Sequence, residues 1–224
     1  MFKKLQIVLI VIVVLLTSVW GVKVKKASAN KSGIIVVLDA GHGGIDAGVI
    51  ASGGQKESDL NLDICYKIKT ELEKSCIGVV MTRRSYGGLY GVATKGFKLR
   101  DMKKRKEIIE SSNARLVVSI HINKCPFEYR KGAQVFYKIA DNSSKTFANF
   151  LQKDLNALPN ADKDNACLVG DYYVLNCSNI PSVLVECGFF SNKENESQLL
   201  QEEYRLSLAG VISANIAKFL LGGF

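Results

Sequence analysis

Three short, mostly aliphatic runs, at residues 34–38, 116–120 and 182–185, form the clearest pattern along the chain. Continuous apolar runs of this length are typical of strands that are covered on both faces, as in a parallel sheet. A polar side chain follows each run: His42 among glycines, His121, and Glu186. Because parallel sheets bind ligands beyond the carboxyl ends of their strands, the pattern places these three side chains at one edge of a sheet.

Segments with helical spacing separate these strands. A helix is predicted from Glu57 onwards, because apolar residues recur every four positions as far as Leu72. Residues 98–110 predict an amphipathic helix with Leu99 on its apolar face and a solvated basic face. Further helices are predicted at 147–158 and 204–219, and further strands at 77–82, 133–139 and 172–175. Alternating strands and helices predict an α/β fold: one three-layer domain at 30–224, with a mostly parallel, twisted sheet flanked by helices.

The first 29 residues differ from the rest of the chain. Residues 5–22 are almost entirely apolar and are flanked by lysines on both sides, and their length is close to that needed to span a bilayer. A small-residue triplet at 27–29 offers a cleavage site for a signal peptidase. We expect residues 1–29 to be a membrane anchor, with a cleaved signal peptide as the alternative, and the domain to lie outside the membrane.

Charge and cysteine content exclude two classes of protein. Five of the lysines that produce the formal charge of +9 lie in the first 29 residues, so the domain itself carries only +4. This charge is too small to indicate a nucleic-acid partner. The six cysteines are never closer than ten residues apart, which argues against a zinc knuckle or a thioredoxin-type site. The spacing does not indicate any disulfide pairing.

His42 and His121 are the only two histidines of the chain. If both preceding strands belong to one parallel sheet, both imidazoles reach the same edge and can bind one metal ion. Glu186 ends an otherwise apolar strand, where a carboxylate is costly to bury unless it has a function. The residues themselves therefore indicate a metal site with an acidic group beside it.

Four segments carry a resemblance to a known family. They are DAGHGGIDAG at 39–48, ESDLNL at 57–62, SIHIN at 119–123 and VECGFFSN at 185–192. In their order and approximate spacing they resemble the zinc-dependent N-acetylmuramoyl-L-alanine amidases of the Amidase_3 family, over the whole chain from about residue 33. Chain size and the segments at 101–109 and 132–137 are most similar to the spore-cortex members of that family.

The resemblance implies a Zn²⁺ ion held by His42, Glu57 and His121, with Glu186 as the general base. Two imidazoles and one carboxylate suit a catalytic zinc site, because a fourth position is left open. The implied reaction is hydrolysis of the amide bond between N-acetylmuramic acid and L-alanine in peptidoglycan. The implied process is spore cortex maturation through muramic-lactam formation, and hence germination. The implied location is the extracytoplasmic face of a membrane, including the forespore intermembrane space. The sequence lacks a wall-binding repeat, so we expect an activating or targeting protein partner.

Three other interpretations remain open from the residues alone. A zinc peptidase acting on the stem peptide would also cleave amides, although the chain has no HExxH motif and His42 and Glu57 are fifteen residues apart. A cysteine hydrolase could pair Cys187 or Cys125 with a histidine. A non-catalytic wall-binding or scaffold protein is the third.

Two further features lie near the expected site. Residues 85–97 predict a mobile loop. Arg83 or Arg84 could contact a substrate carboxylate or end a strand in solvent.

Overall fold

The computed structural model describes residues 33–159, 161 and 164–223, and its centre is one six-stranded sheet. Its strands are β1 (Ile35–Ala40), β2 (Gly78–Met81), β3 (Leu116–Asn123), β4 (Gln134–Lys138), β5 (Leu168–Gly170) and β6 (Ser182–Phe189). They lie in the order β2-β1-β3-β6-β4-β5. The strands β2, β1, β3 and β6 are parallel to one another. The strand β4 pairs antiparallel with β6 and parallel with β5. The prediction of a mostly parallel sheet is confirmed.

Helices cover both faces of the sheet. They are α1 (Glu57–Lys74), α2 (Phe97–Glu110), α3 (Asn142–Asn156), α4 (Tyr173–Asn176), α5 (Lys193–Leu200) and α6 (Glu202–Leu220). Helices α1, α3 and α6 pack on one face around the larger hydrophobic cluster. Helices α2 and α4 contribute to a smaller cluster on the other face. The predicted three-layer α/β architecture is therefore confirmed.

Alternation along the strands explains the two clusters. Side chains of a strand point to opposite faces in turn, so Val36 and Leu38 join the larger cluster while Val37 joins the smaller one with Val117. Every one of these side chains is fully buried. Burial on both faces is the physical reason for the uninterrupted aliphatic runs in the sequence.

Helix α2 differs from its prediction. Leu99, assigned to the apolar face, has 58% of its surface exposed, whereas Arg105, assigned to the solvated basic face, is 1% exposed. The guanidinium of Arg105 is buried because it forms ion pairs with Asp39 and Asp101. A buried cation is tolerated when it is paired and hydrogen bonded, and this pairing places a basic side chain on the inner face of the helix.

The edge of the sheet also differs from its prediction. A strand was expected at 172–175, but the edge strand is β5 and the following residues form the short helix α4. Leu168 pairs with Phe136 of β4, and the backbone of Tyr172 accepts hydrogen bonds from the amides of Leu175 and Asn176. Three or four residues are too few for hydrophobic periodicity to distinguish a strand from a helical turn.

The expected membrane segment, residues 1–29, lies outside the described residues. Within the described ranges, the structure contains no helix that is both long and apolar enough to span a bilayer. Residues 85–96 form an irregular segment, as expected, and Arg100 donates hydrogen bonds to the carbonyls of Tyr90, Val92, Thr94 and Lys95. The predicted mobility of this segment stays a prediction.

Candidate metal centre

Three different elements bring His42, Glu57 and His121 together. His42 follows β1, Glu57 is the first residue of α1, and His121 lies near the end of β3. Glu57 Oε1 is 3.2 Å from His42 Nε2 and 3.0 Å from His121 Nδ1. One potential ligand atom from each residue lies within 4.8 Å of the other two. The two imidazoles that the sequence places at one edge of the sheet are therefore neighbours.

The Glu57 carboxylate is fixed by backbone donors. The amide of Val49 donates to Oε2 over 2.8 Å, and the amide of Ile122 donates to Oε1 over 3.1 Å. Carbonyls of the preceding loop in turn accept from the first amides of α1, with Glu57 N 2.9 Å from Val49 O and Ser58 N 3.1 Å from Ala47 O. This loop takes the place of a side-chain cap, since Lys56 provides none. The start of α1 and its carboxylate are consequently held as one unit.

Two glycines make room for these side chains. A Cβ on Gly41 would lie 2.2 Å from the His121 ring, and a Cβ on Gly48 would lie 2.3 Å from Glu57 Oε2. Gly48 also has a φ of +68°, which favours glycine for a second reason. The glycines of the 39–48 segment therefore allow the close packing of the site, beyond forming a turn.

The charges of the three residues support one another. Burial raises the pKa of Glu57, but hydrogen bonds and charges from His121 and His42 outweigh it and hold that pKa below its usual range. Burial lowers the pKa of His42, but the carboxylates of Glu57 and Asp46 outweigh it and raise that pKa. The site thus contains an ionised carboxylate between two imidazoles. Nitrogen and oxygen donors of this kind are zinc ligands, and three of them fit a catalytic zinc site.

Glu186 lies beside this group. It is the direct partner of His121 in the pairing of β3 with β6, so both side chains emerge on the same face of the sheet. The residue is 7% exposed, and its Oε2 has no hydrogen-bond partner among the residues that the structure describes. Burial raises the pKa of Glu186 to about 7, and the Glu57 charge adds to this while the histidines oppose it. This buried oxygen, which lacks a partner in the described part of the chain, is available to exchange a proton.

A buried ion-pair network supports the end of β1, which sequence reasoning missed. Arg105 Nη1 is 2.6 Å from Asp39 Oδ1, and Asp39 also accepts from Thr82 and Ser119. Arg105 donates to the carbonyls of Ala40 and His42 as well. The network therefore holds the backbone on which His42 is carried. Asp39 could have been found from the sequence by the argument used for Glu186, because it is also an acid at the end of an apolar strand.

Arg83 does not occupy either of its expected positions. The residue is buried, and its guanidinium donates to the carbonyls of Ala40, Gly41 and Ser58. It is therefore neither a solvated strand end nor a group directed at a substrate carboxylate, because its donors are used by the backbone. Arg84 is exposed.

The cysteines offer no nucleophile at the site. Cys187 follows Glu186 along β6 and points to the opposite face, where it is fully buried in the larger hydrophobic cluster. Burial raises its pKa well above the usual value, which disfavours the reactive thiolate. Cys125 lies near Phe127 O and Ser191 Oγ, without a histidine partner in the described part of the chain. All six cysteines are described and none forms a disulfide with another.

The candidate metal centre opens into a cavity of about 540 Å³. His42, Glu57, His121 and Glu186 all line it, together with aromatic and basic residues of the surrounding segments: Tyr90, Phe97, Lys98, Lys124, Tyr172 and Tyr173. The cavity is in the size range of small-molecule sites. It gives an extended substrate access to the acidic and imidazole groups.

Comparison with known proteins identifies the class. The sequence profile of the Amidase_3 family, described as N-acetylmuramoyl-L-alanine amidase, matches residues 36–218. This is most of the chain, and the chain therefore belongs to that family of amide hydrolases.

Two relatives and one solved structure are similar to this chain over most of its length. The chain is 34% identical over 201 residues to the germination-specific N-acetylmuramoyl-L-alanine amidase of Bacillus subtilis (strain 168), covering 87% of this chain and 83% of that protein. It is 29% identical to the N-acetylmuramoyl-L-alanine amidase LytC of the same organism, covering 85% of this chain and 37% of LytC. The structure of the CwlD amidase from Clostridioides difficile, in complex with the GerS lipoprotein, matches with a TM-score of 0.80 and 36% identity, covering 84% of this chain and 99% of that one. The predicted similarity to spore-cortex amidases is confirmed.

Proposed function

We propose that the domain at 30–224 binds one Zn²⁺ ion through His42, Glu57 and His121, and that Glu186 is the general base of its amidase reaction. One observation carries the proposal: three potential ligand atoms lie within 4.8 Å of one another, and on the strand beside His121 a buried carboxylate oxygen has no partner among the described residues. A scaffold or wall-binding protein would gain nothing from that unpaired carboxylate, since burying one is unfavourable.

The division of roles follows from the surroundings of the two glutamates. Zinc, when bound, polarises a carbonyl and brings the pKa of water to about 7. Glu57 is held by two backbone amides and two imidazoles, so its oxygens are committed to the site. The Oε2 atom of Glu186 is free of such bonds within the described residues, so this oxygen is available to accept a proton and return it. Glu186 would take the proton of the attacking water and pass it to the leaving amine.

We also propose a setting for this activity. The substrate is spore-cortex peptidoglycan, cleaved between N-acetylmuramic acid and L-alanine on the way to muramic lactam, because a germination-specific amidase is similar over most of both chains. A protein partner activates or positions the enzyme, since the structure of a similar amidase contains the GerS lipoprotein. Residues 1–29 anchor the domain to the outer face of the membrane, in the forespore intermembrane space, because they combine an apolar run with flanking lysines.

Zinc analysis of purified full-length variants tests the assignment of roles. His42→Ala, Glu57→Ala and His121→Ala should each reduce zinc content sharply, because a three-ligand site depends on every ligand. Glu186→Gln preserves the shape of the side chain but cannot accept the proton. It should retain zinc while turnover falls roughly 10² to 10⁴-fold. Loss of zinc from Glu186→Gln, or full zinc in His121→Ala, would show that the roles are assigned wrongly.

A further inference from the structure

The two ring nitrogens of His42 face two different carboxylates. His42 Nε2 is 3.2 Å from Glu57 Oε1, toward the candidate metal centre, and His42 Nδ1 is 3.0 Å from Asp46 Oδ2 on the other side of the ring. A neutral imidazole carries one N–H and one lone pair. If Nδ1 carries the proton and donates it to Asp46, the lone pair of Nε2 faces the site.

The Asp46 carboxylate is itself held in place. Gly43 and Asp46 exchange two backbone hydrogen bonds, Gly43 N to Asp46 O at 2.8 Å and Asp46 N to Gly43 O at 3.2 Å. These bonds close a tight turn just after His42. The second carboxylate oxygen, Oδ1, lies 3.6 Å from the ammonium of Lys98 on α2. Backbone and charge thus keep Asp46 directed at the His42 ring.

The two histidines differ in how much support their backbone supplies. His121 belongs to β3, which pairs with β1 and β6 on either side. His42 follows the end of β1, and its φ of +60° is uncommon for a residue with a side chain. A ring on this segment needs a side-chain partner to fix its orientation, whereas a ring within a central strand already has a rigid support.

We infer that Asp46 is a positioning residue, which fixes the orientation and the tautomer of His42 so that Nε2 is presented to a divalent metal ion. The inference rests on the proposed metal site. It extends that site by one residue that acts through the His42 ring. Carboxylates in this position typically change metal affinity by about 10 to 100-fold.

Zinc affinity of the full-length protein, measured by competition with a chromophoric chelator, is the first test. Asp46→Ala should weaken zinc binding by about 10 to 100-fold. Asp46→Asn should fall between Asp46→Ala and the wild type, because the amide oxygen still accepts from Nδ1. The matched control is Asp59→Asn, which removes the same charge from the first turn of α1, where Asp59 accepts from Ser58 Oγ. This control should leave zinc affinity within about 2-fold of the wild type, well below the effect expected of Asp46→Ala.

The tautomer of His42 gives a readout that does not depend on zinc or on activity. The chain has only two histidines, so ¹⁵N correlation spectra of their rings are simple to assign. In zinc-free wild type with a neutral His42 ring, the proton should be shared between Nδ1, which faces Asp46 Oδ2, and Nε2, which faces Glu57 Oε1. Asp46→Ala should shift this ratio toward the Nε2–H form, because Glu57 Oε1 is then the carboxylate oxygen that still faces the ring. A merely structural role would lower the stability of zinc-free protein without changing this ratio.

The outcomes separate the inference from the proposed function. A wild type that binds no zinc would overturn both. A wild type that binds zinc, together with an Asp46→Ala variant of equal zinc affinity and unchanged tautomer, would overturn the positioning role alone. If Asp46→Ala fails to fold, the same comparison is made with Asp46→Asn, whose failure to alter either zinc affinity or the tautomer ratio would refute the inference.

Discussion

Gly41→Ala is predicted to displace His121 from the metal centre. A Cβ added at residue 41 would lie 2.2, 2.4 and 2.6 Å from three atoms of the His121 ring. The backbone at Gly41 cannot easily move away, because its amide donates to Ile120 O over 3.0 Å and its carbonyl accepts from Arg83 over 2.9 Å. The imidazole must therefore yield.

The size of the displacement follows from these distances. Moving the nearest ring atom from 2.2 Å to the 3.0 Å limit for real Cβ contacts requires a shift of about 0.8 Å, and an ordinary contact at 3.4 Å requires about 1.2 Å. Ligand distances in metal sites are held to within about 0.2 Å. A shift several times larger removes His121 as an effective ligand, and a misplacement of about 1 Å typically costs about 10²-fold in turnover.

The assay is zinc affinity by chelator competition, with turnover measured in parallel. Gly41→Ala should bind zinc at least about 10-fold more weakly than the wild type, in line with the loss of a correctly placed ligand. Gly210→Ala is the matched control, because a Cβ at that position in α6 meets no atom within 4 Å apart from its chain neighbours and the backbone of its own helix. The control should bind zinc normally and gain up to about 1 kcal/mol of stability from its helical position. Normal zinc affinity in Gly41→Ala would refute the steric argument.

Three further predictions concern the supports of the site. Burial raises the pKa of Asp39, but Arg105 and hydrogen bonds outweigh it and lower this pKa from 3.8 to about 2. The ionised carboxylate therefore contributes about 2 kcal/mol of stability above pH 3.8. This contribution is lost as the pH falls toward 2. Urea unfolding across this pH range should show a loss about 2 kcal/mol larger in the wild type than in Asp39→Asn, because Glu57, whose pKa is also lowered, loses stability in both proteins. Arg105→Met should lower the free energy of unfolding in urea by about 3 to 5 kcal/mol, because it leaves Asp39 and Asp101 buried without their cation. A loss below about 1 kcal/mol, which is typical of a surface ion pair, would contradict this. Cys187→Ala should keep most of its turnover, and an inactive variant that still folds and binds zinc would revive the thiol-nucleophile interpretation.

Much of the fold was predictable because its central strands are covered on both faces. Strands β1, β3 and β6 leave uninterrupted aliphatic runs, and α1 leaves a four-residue periodicity whose members Ile64, Ile68 and Leu72 are fully buried. Short elements at the sheet edge leave no such signal. The edge strand was therefore predicted at 172–175, a few residues beyond β5, and the helix α4 was missed.

The site was predictable only in part, for a different reason. His42, His121 and Glu186 each follow an apolar run of the sequence, and this local pattern places them at one edge of the sheet. Glu57 was found through the family resemblance, since a carboxylate in the first turn of a helix is favoured by the helix dipole in any protein. The Asp39 to Arg105 pair joins residues 66 positions apart, and no local pattern encodes a contact of that range. The roles of His42, Glu57 and His121 as metal ligands, and of Glu186 as general base, stay predictions.

The most direct measurement of the central claim is the identity of the bond that is cleaved. Purified full-length protein is incubated with zinc and spore-cortex muropeptides, with and without the proposed protein partner, and the new chain ends are analysed by mass spectrometry and amino-terminal labelling. Zinc-dependent hydrolysis between N-acetylmuramic acid and L-alanine predicts intact stem peptides whose only new amino group is on alanine, and none with Glu186→Gln. New amino termini on any other residue, or new reducing sugar ends, would contradict the account.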